Sequence, residues 1–205
     1  MHIASAVIDS FQEYPPYHAL VVFSRGCSLA CGFCHNTTQL QAPSPHCDDL
    51  GLLQTWLPNM LTPMHEAVVF LGGEPTLHGE ALMAALTYCK DLGLNTKVFT
   101  NAQHPVWVQQ ACQRGIIDAW SFDVKCVQDV APILGTPNLE ASRYLQRIEQ
   151  CVYYAKAYEI PYELRTTLTP EVLPQQEAIT AFCTSVLGQA NIEQRYIAPA
   201  MALTR

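Results

Sequence analysis

Ser24-Arg-Gly-Cys-Ser-Leu-Ala-Cys-Gly-Phe-Cys-His-Asn36 follows directly on the apolar run His18-Ala-Leu-Val-Val-Phe23. A short run rich in β-branched residues that gives way to a glycine-bearing polar stretch reads as a strand and the loop at its carboxyl end. The loop carries Cys27, Cys31 and Cys34 in the spacing CxxxCxxC. Three thiolates on one short loop can hold three corners of a cubane iron-sulfur cluster, and nothing adjacent completes the usual set of four. The fourth iron is then open to a ligand, and an open iron in a reducing compartment can bind and reduce a sulfonium cofactor.

The same cysteines admit other readings. Cys31-Gly-Phe-Cys34-His35 fits the CxxCH attachment site of a c-type haem, which requires export. The stretch Met1-His-Ile-Ala-Ser-Ala-Val-Ile-Asp9 has no basic start and no sustained apolar core, so it does not read as a signal peptide, and a cytoplasmic protein is expected. A zinc site would join Cys27, Cys31 and Cys34 to His35, His46 or Cys47, but structural zinc usually draws on a second CxxC pair that is missing here. A thioredoxin-like pair at Cys31 and Cys34 leaves Cys27 without a role. The nine cysteines are an odd number in a chain of 205 residues, long enough to bury a core without disulfides, so reduced thiols are expected. Cys89, Cys112, Cys151 and Cys183 sit in apolar, helix-like surroundings and read as small hydrophobes.

Hydrophobic residues make up 49% of the chain and charged residues 14%, which indicates one well-filled globular domain over residues 1–205. The net charge of −7 argues against a nucleic-acid partner, and no apolar stretch reaches membrane-spanning length. Short runs rich in Val, Ile, Phe and Tyr alternate with segments of helical period, the pattern of repeated βα units. Strands are predicted near 19–24, 67–71, 95–100, 118–124, 161–168 and 193–198, and helices over 48–60, 79–92, 105–114, 140–158 and 176–187, with Asn138 placed to cap the fourth. Six strands and about five helices give an α/β fold, a partial (β/α)6 barrel with a mostly parallel sheet. The polar loop 37–45 is expected to cover the cysteines, and Tyr153, Tyr154 and Tyr158 to pack a helix face.

Polar groups recur at the carboxyl ends of these strands, where barrel active sites are built. Gly72-Gly73-Glu74-Pro75 follows Ala67-Val-Val-Phe-Leu71; paired glycines let backbone approach a ligand, and Glu74 can accept a hydrogen bond from an ammonium group. By itself Gly-Gly-Glu-Pro is also a simple turn. Thr100-Asn101 ends the third strand and Asp123-Val124-Lys125 the fourth. Lys125, with Arg165 in Glu163-Leu-Arg-Thr-Thr167, can neutralise a carboxylate or engage a ribose; a rim salt bridge between Asp123 and Lys125 is the plainer alternative.

The order and spacing of these motifs resemble the radical S-adenosylmethionine superfamily, in which a CxxxCxxC loop follows the first strand of a partial barrel and an aromatic residue, here Phe33, precedes the last cysteine. Cys34-His35-Asn36 narrows the resemblance to the small enzymes that activate glycyl-radical enzymes, above all the activating protein of anaerobic ribonucleotide reductase, over about residues 18–198. The resemblance implies a [4Fe-4S] cluster on Cys27, Cys31 and Cys34, and S-adenosyl-L-methionine held by Phe33, Gly72, Gly73, Glu74, Thr100, Asn101, Asp123, Lys125 and Arg165. It implies reductive cleavage to a 5'-deoxyadenosyl radical, a glycyl-radical enzyme as protein partner and a flavodoxin- or ferredoxin-type electron donor. His35 reads either as a cofactor-loop residue or as a plain polar loop residue. Two departures stand out: Phe99 replaces the aspartate that serves a monovalent cation in many activating enzymes, and no histidine follows His104. A radical enzyme acting on a small heterocycle, like 7-carboxy-7-deazaguanine synthase, and a zinc-stabilised binding module are the alternatives.

Overall fold

In the computed structural model, which describes residues 1–34 and 55–195, the apolar runs pair into one seven-stranded sheet in the order β1-β2-β3-β4-β5-β6-β7. The strands are β1 Ile3–Ser10, β2 Ala19–Ser24, β3 Ala67–Gly72, β4 Asn95–Thr100, β5 Ala119–Asp123, β6 Tyr162–Leu168 and β7 Asn191–Arg195. Every neighbouring pair from β2 to β7 is parallel. β1 adds an antiparallel edge, with Ile3 opposite Ser24 and Ser10 opposite Ala19. The helices are α1 Leu57–Met60, α2 Glu80–Asp91, α3 Pro105–Gln113, α4 Val130–Ile133, α5 Ala141–Ala157 and α6 Gln176–Phe182, the last running into a π-helical turn over Cys183–Leu187.

β2 and β3 are apolar on both faces because both faces are covered there, whereas β4 to β6 carry Lys97, Asp123, Glu163 and Arg165 on one face. On the helix side, Leu20, Val22, Val68, Phe70, Val98, Trp120, Phe122 and Leu164 meet the apolar stripes of the helices. α5 shows the stripe clearly: Tyr144, Ile148, Cys151, Val152 and Ala155 are buried at helical spacing. On the other face Ala19, Val21, Ala67 and Val69 form a second, smaller core, closed by Tyr14 and Tyr17 from the segment between β1 and β2. The alternation of strand side chains therefore assigns odd-numbered residues of β2 to β6 to this inner face, where the site lies.

The sequence-predicted partial α/β barrel matches this architecture. The strand β1 is an addition to it: Ile3-Ala-Ser-Ala-Val-Ile-Asp-Ser is half exposed and mixes small polar with apolar residues, as an edge strand does. The last strand starts earlier than predicted, at Asn191, and its expected end lies outside the described residues. So do His35, the loop 37–45, His46, Cys47 and most of the helix predicted over 48–60. Glu140, not Asn138, is the N-cap residue of α5, and it makes no side-chain capping bond. Of the three tyrosines, Tyr154 packs on the core, whereas Tyr153 is 66% exposed.

Candidate functional site

The loops after β2 and β3 are fastened together. Gly73 N donates to Ser24 O at 3.0 Å and Glu74 N to Gly26 O at 2.7 Å, which pins the Gly72-Gly73-Glu74 turn to the chain just ahead of Cys27. Gly72 has φ 113°, and a Cβ there would lie 2.7 Å from Ser24 N and 2.8 Å from Ser24 O. No side chain fits that contact, so the close approach of the two loops depends on glycine.

Glu74 anchors this turn from below. It is fully buried, and its Oε1 accepts from Thr76 N at 3.1 Å, from Thr100 Oγ1 at 2.7 Å and from Thr76 Oγ1. Its Oε2 accepts from Asn101 N at 2.7 Å. Thr76 Oγ1, having given its hydrogen to Glu74, accepts from His104 Nδ1 at 2.7 Å, which assigns the Nδ1–H tautomer to His104. The carboxylate thus joins the carboxyl ends of β3 and β4. It faces these donors, while Gly72 and Gly73 present backbone to the neighbouring cavity.

Cys27, Cys31 and Cys34 are free, half-buried thiols on one loop. Cys34 N donates to Cys31 O at 3.1 Å, and Ala30 N donates to Leu134 O at 2.9 Å, tying the middle of the loop to the residue after α4. There Gly135, at φ 59°, approaches so closely that a Cβ would lie 2.2 Å from Ala30 O. Phe33 packs partly buried against the main core. Cys27 Sγ accepts from Leu29 N at 3.4 Å and from Asn101 Nδ2 at 3.7 Å. Burial pushes the Cys27 thiol up to about 11, and burial likewise raises Cys31, with the Lys125 ammonium opposing. Both thiols hold their protons at neutral pH until a metal displaces them. Three soft thiolate donors on one loop fastened through Ala30 fit the cysteine set of an iron-sulfur cluster.

Beside the loop, a cleft of about 230 Å³ brings together Gly72, Gly73, Thr100, Asn101, Asp123 and Arg165, all singled out from the sequence. The three cysteines, Phe33, Glu74 and Lys125 do not line it. Lys125 Nζ donates to Asp123 Oδ2 at 2.8 Å. Burial pulls the Lys125 ammonium down, but Asp123, Cys31 and the hydrogen bond with Asp123 outweigh it, and the group is held above its ordinary value and stays cationic.

Leu71, Phe99, Glu13, Thr167 and Gln194 complete the wall, and the last three were not anticipated. Thr167 faces the same way as Arg165 by strand alternation, a signal present in the sequence, whereas Gln194 is placed by its register opposite Thr167. Glu13 carries none. Arg165 Nη1 lies 3.5 Å from Glu13 Oε2 and 3.7 Å from Glu163 Oε1, with its guanidinium 4.8 Å over the Phe99 ring. Lys97 Nζ lies 4.8 Å over the same ring, 3.0 Å from Glu163 Oε1, and donates to Glu13 O at 2.8 Å. Phe99 is thus flanked by two cations. Three carboxylates, Glu13, Asp123 and Glu163, balance Lys97, Lys125 and Arg165; of these Glu13, Asp123 and Arg165 line the cleft and give it charges of both signs, which can match those of a zwitterion.

A second cluster, Asp9, His18 and His65, is a hydrogen-bonded knot. His65 Nδ1 accepts from Thr62 N at 2.9 Å, so its Nε2–H donates to Ile8 O, at 2.6 Å. His18 faces Met64 O at 3.2 Å and Asp9 Oδ1 at 2.8 Å, and the two rings stack at 4.9 Å. The ring nitrogens are occupied in tying β1 to the turn before β3. Cys89, Cys112, Cys151 and Cys183 are buried, as expected of small hydrophobes.

Residues 21–182 match the family described as the Radical SAM superfamily. A protein of Methanocaldococcus jannaschii, provisionally named a glycyl-radical enzyme activating enzyme, is 28% identical over 177 residues, spanning 85% of this chain and 72% of its own. Among solved structures, anSMEcpe with bound AdoMet superposes with a TM-score of 0.63 at 15% identity, over 85% of this chain and 48% of its own. SuiB of Streptococcus suis gives 0.62 at 18% identity, over 90% and 41%. A radical SAM methyltransferase from Sphaerobacter thermophilus gives 0.61 at 12%, over 89% and 56%. The chain spans about half the length of these solved structures, and the likeness carries the fold alone.

Proposed function

We propose, for a chain that belongs to the Radical SAM superfamily, that it installs a glycyl radical on a partner enzyme. Cys27, Cys31 and Cys34 would hold a [4Fe-4S] cluster, leaving one iron for S-adenosyl-L-methionine. Bound there, the cluster supplies the one-electron reduction of the sulfonium that releases methionine and a 5'-deoxyadenosyl radical. The protein's own task is placement. The Gly72-Gly73 backbone would lie alongside the methionine moiety. Asp123 would take its ammonium or a ribose hydroxyl and Arg165 its carboxylate, with Lys125 holding Asp123 from behind the wall. Holding the ligand in one orientation would select which carbon-sulfur bond breaks.

One observation carries this reading: the cysteine loop and the cleft share a wall, because Asn101 lines the cleft and its side-chain amide reaches Cys27 Sγ at 3.7 Å. The Methanocaldococcus jannaschii relative, which carries the activating-enzyme name, favours a protein substrate. The partner read from Cys34-His35-Asn36 is anaerobic ribonucleoside-triphosphate reductase, with a flavodoxin or ferredoxin as electron donor. The test is oxygen-free reconstitution with S-adenosylmethionine, reductant and that reductase. The expected result is 5'-deoxyadenosine together with the doublet of a glycyl radical in electron paramagnetic resonance. Turnover of a small heterocycle with no doublet would overturn it.

A further inference from the structure

Asn101 holds a position that binding of a cofactor in the cleft does not explain. It is 4% exposed, and its backbone N is already fixed by Glu74. Its side-chain amide points away from solvent: Oδ1 accepts from Gln103 N at 3.1 Å, while Nδ2 donates to Ser28 Oγ at 3.3 Å and to Cys27 Sγ at 3.7 Å. The orientation is determined by these partners. Turning the amide over would set Nδ2–H against the Gln103 N–H and an oxygen against the sulfur. Among the described residues, no other side chain donates to the sulfur of Cys27, Cys31 or Cys34; the backbone of Leu29 donates to Cys27 and that of Cys31 to its own sulfur.

We propose that Asn101 is a positioning residue whose N–H···S hydrogen bond to Cys27 sets the reduction potential of the cluster on that loop. The inference rests on the cluster reading above. An N–H donor withdraws charge from a thiolate sulfur and favours the reduced, more negative cluster, and hydrogen bonds to the sulfurs are among the features that fix such potentials. The residue sits where it matters for both partners. Its Nδ2 touches a cluster ligand, and its own surface lines the cleft, so filling the cleft bears directly on the donor. The long N···S distance marks a bond of ordinary strength, near the lower end for a charge-assisted one.

The test is potentiometry of the reconstituted cluster, followed by electron paramagnetic resonance without any partner enzyme, so it reads independently of glycyl-radical formation. Asn101→Leu removes the donor at similar volume. It should lower the equilibrium constant for one-electron reduction three- to tenfold, tenfold being about 59 mV. Asn101→Asp keeps the acceptor for Gln103 N, removes the donor and adds charge, so it should fall further; it serves if the leucine variant does not fold. Ser28→Ala removes the other acceptor of the same amide and should not lower the potential. A potential in Asn101→Leu or Asn101→Asp at or above that of the wild type overturns the proposal. So does an equal fall in Ser28→Ala, which would assign the effect to the loop and not to the bond.

Discussion

Replacing Glu74 by Gln separates two roles that the same carboxylate could play. If Glu74 holds the fold, the substitution must be felt without any cofactor present. The glutamine carbonyl can stand in for Oε1 and keep the donations of Thr76 and Thr100, but its amino group then replaces Oε2 and confronts the Asn101 N–H, 2.7 Å away in the wild type. One buried backbone donor is left unpaired against another donor, at a cost of about 1–3 kcal/mol. For a chain of this size that lowers the melting temperature by roughly 2–12 °C. Glu74→Leu leaves both backbone donors, Thr76 N and Asn101 N, without an acceptor, and should cost about 2–6 kcal/mol. The assay is thermal and urea unfolding of the metal-free, reduced protein, where no ligand contact can contribute. A Glu74→Gln protein that melts with the wild type yet fails to bind S-adenosylmethionine would refute the anchoring argument and return Glu74 to the role of an ammonium acceptor.

The glycines and thiols make further demands. Gly72→Ala places a Cβ 2.7 Å from Ser24 N at φ 113°, so the turn must leave β2; S-adenosylmethionine affinity, read by equilibrium dialysis on the loaded protein, should fall at least tenfold while the fold's circular dichroism persists. Gly135→Ala sets a Cβ 2.2 Å from Ala30 O and adds a left-handed strain of about 1 kcal/mol, and iron content after reconstitution should drop below that of the wild type even where the protein stays folded. Burial raises the Cys27 and Cys31 thiols, so a metal must displace their protons and apparent affinity rises with pH. Cobalt(II) titrations between about pH 6.5 and 8.5 should tighten by up to about a decade per pH unit for each proton released, and less steeply in Cys27→Ser. The same shifts make the metal-free fold lose stability only as pH climbs past about 9, where an unfolded thiol ionises before the buried ones.

Much of the site was legible because chemistry and topology agree at the strand ends. A CxxxCxxC triplet after an apolar run has few uses, and the carboxyl ends of parallel strands gather on one rim, so Gly72, Gly73, Thr100, Asn101, Asp123 and Arg165 could be placed together before any coordinates. What escaped was direction and distance. Glu74 sits in the right turn, but whether its carboxylate faces a ligand or the protein depends on Thr76 and Thr100 hydroxyls, which sequence spacing does not orient. Glu13 meets Arg165 across 152 residues from a segment with no regular period. Phe99 stood out only as a missing aspartate, and its place between Lys97 and Arg165 needs the register of β4 against its neighbours. The edge strand β1 was hidden by its mixture of Ser, Ala and Asp with apolar residues.

The account stands on three cysteines that carry a cluster with one iron free for a sulfonium ligand. Mössbauer spectroscopy of oxygen-free, iron-57-reconstituted protein, with and without S-adenosylmethionine, measures this directly. The predicted result is a four-iron cluster in which the ligand alters the signal of one iron and leaves three alike, with the cluster lost in Cys31→Ala. Four irons indifferent to the ligand, or a protein that takes up tetrahedral zinc and no cluster, would contradict it.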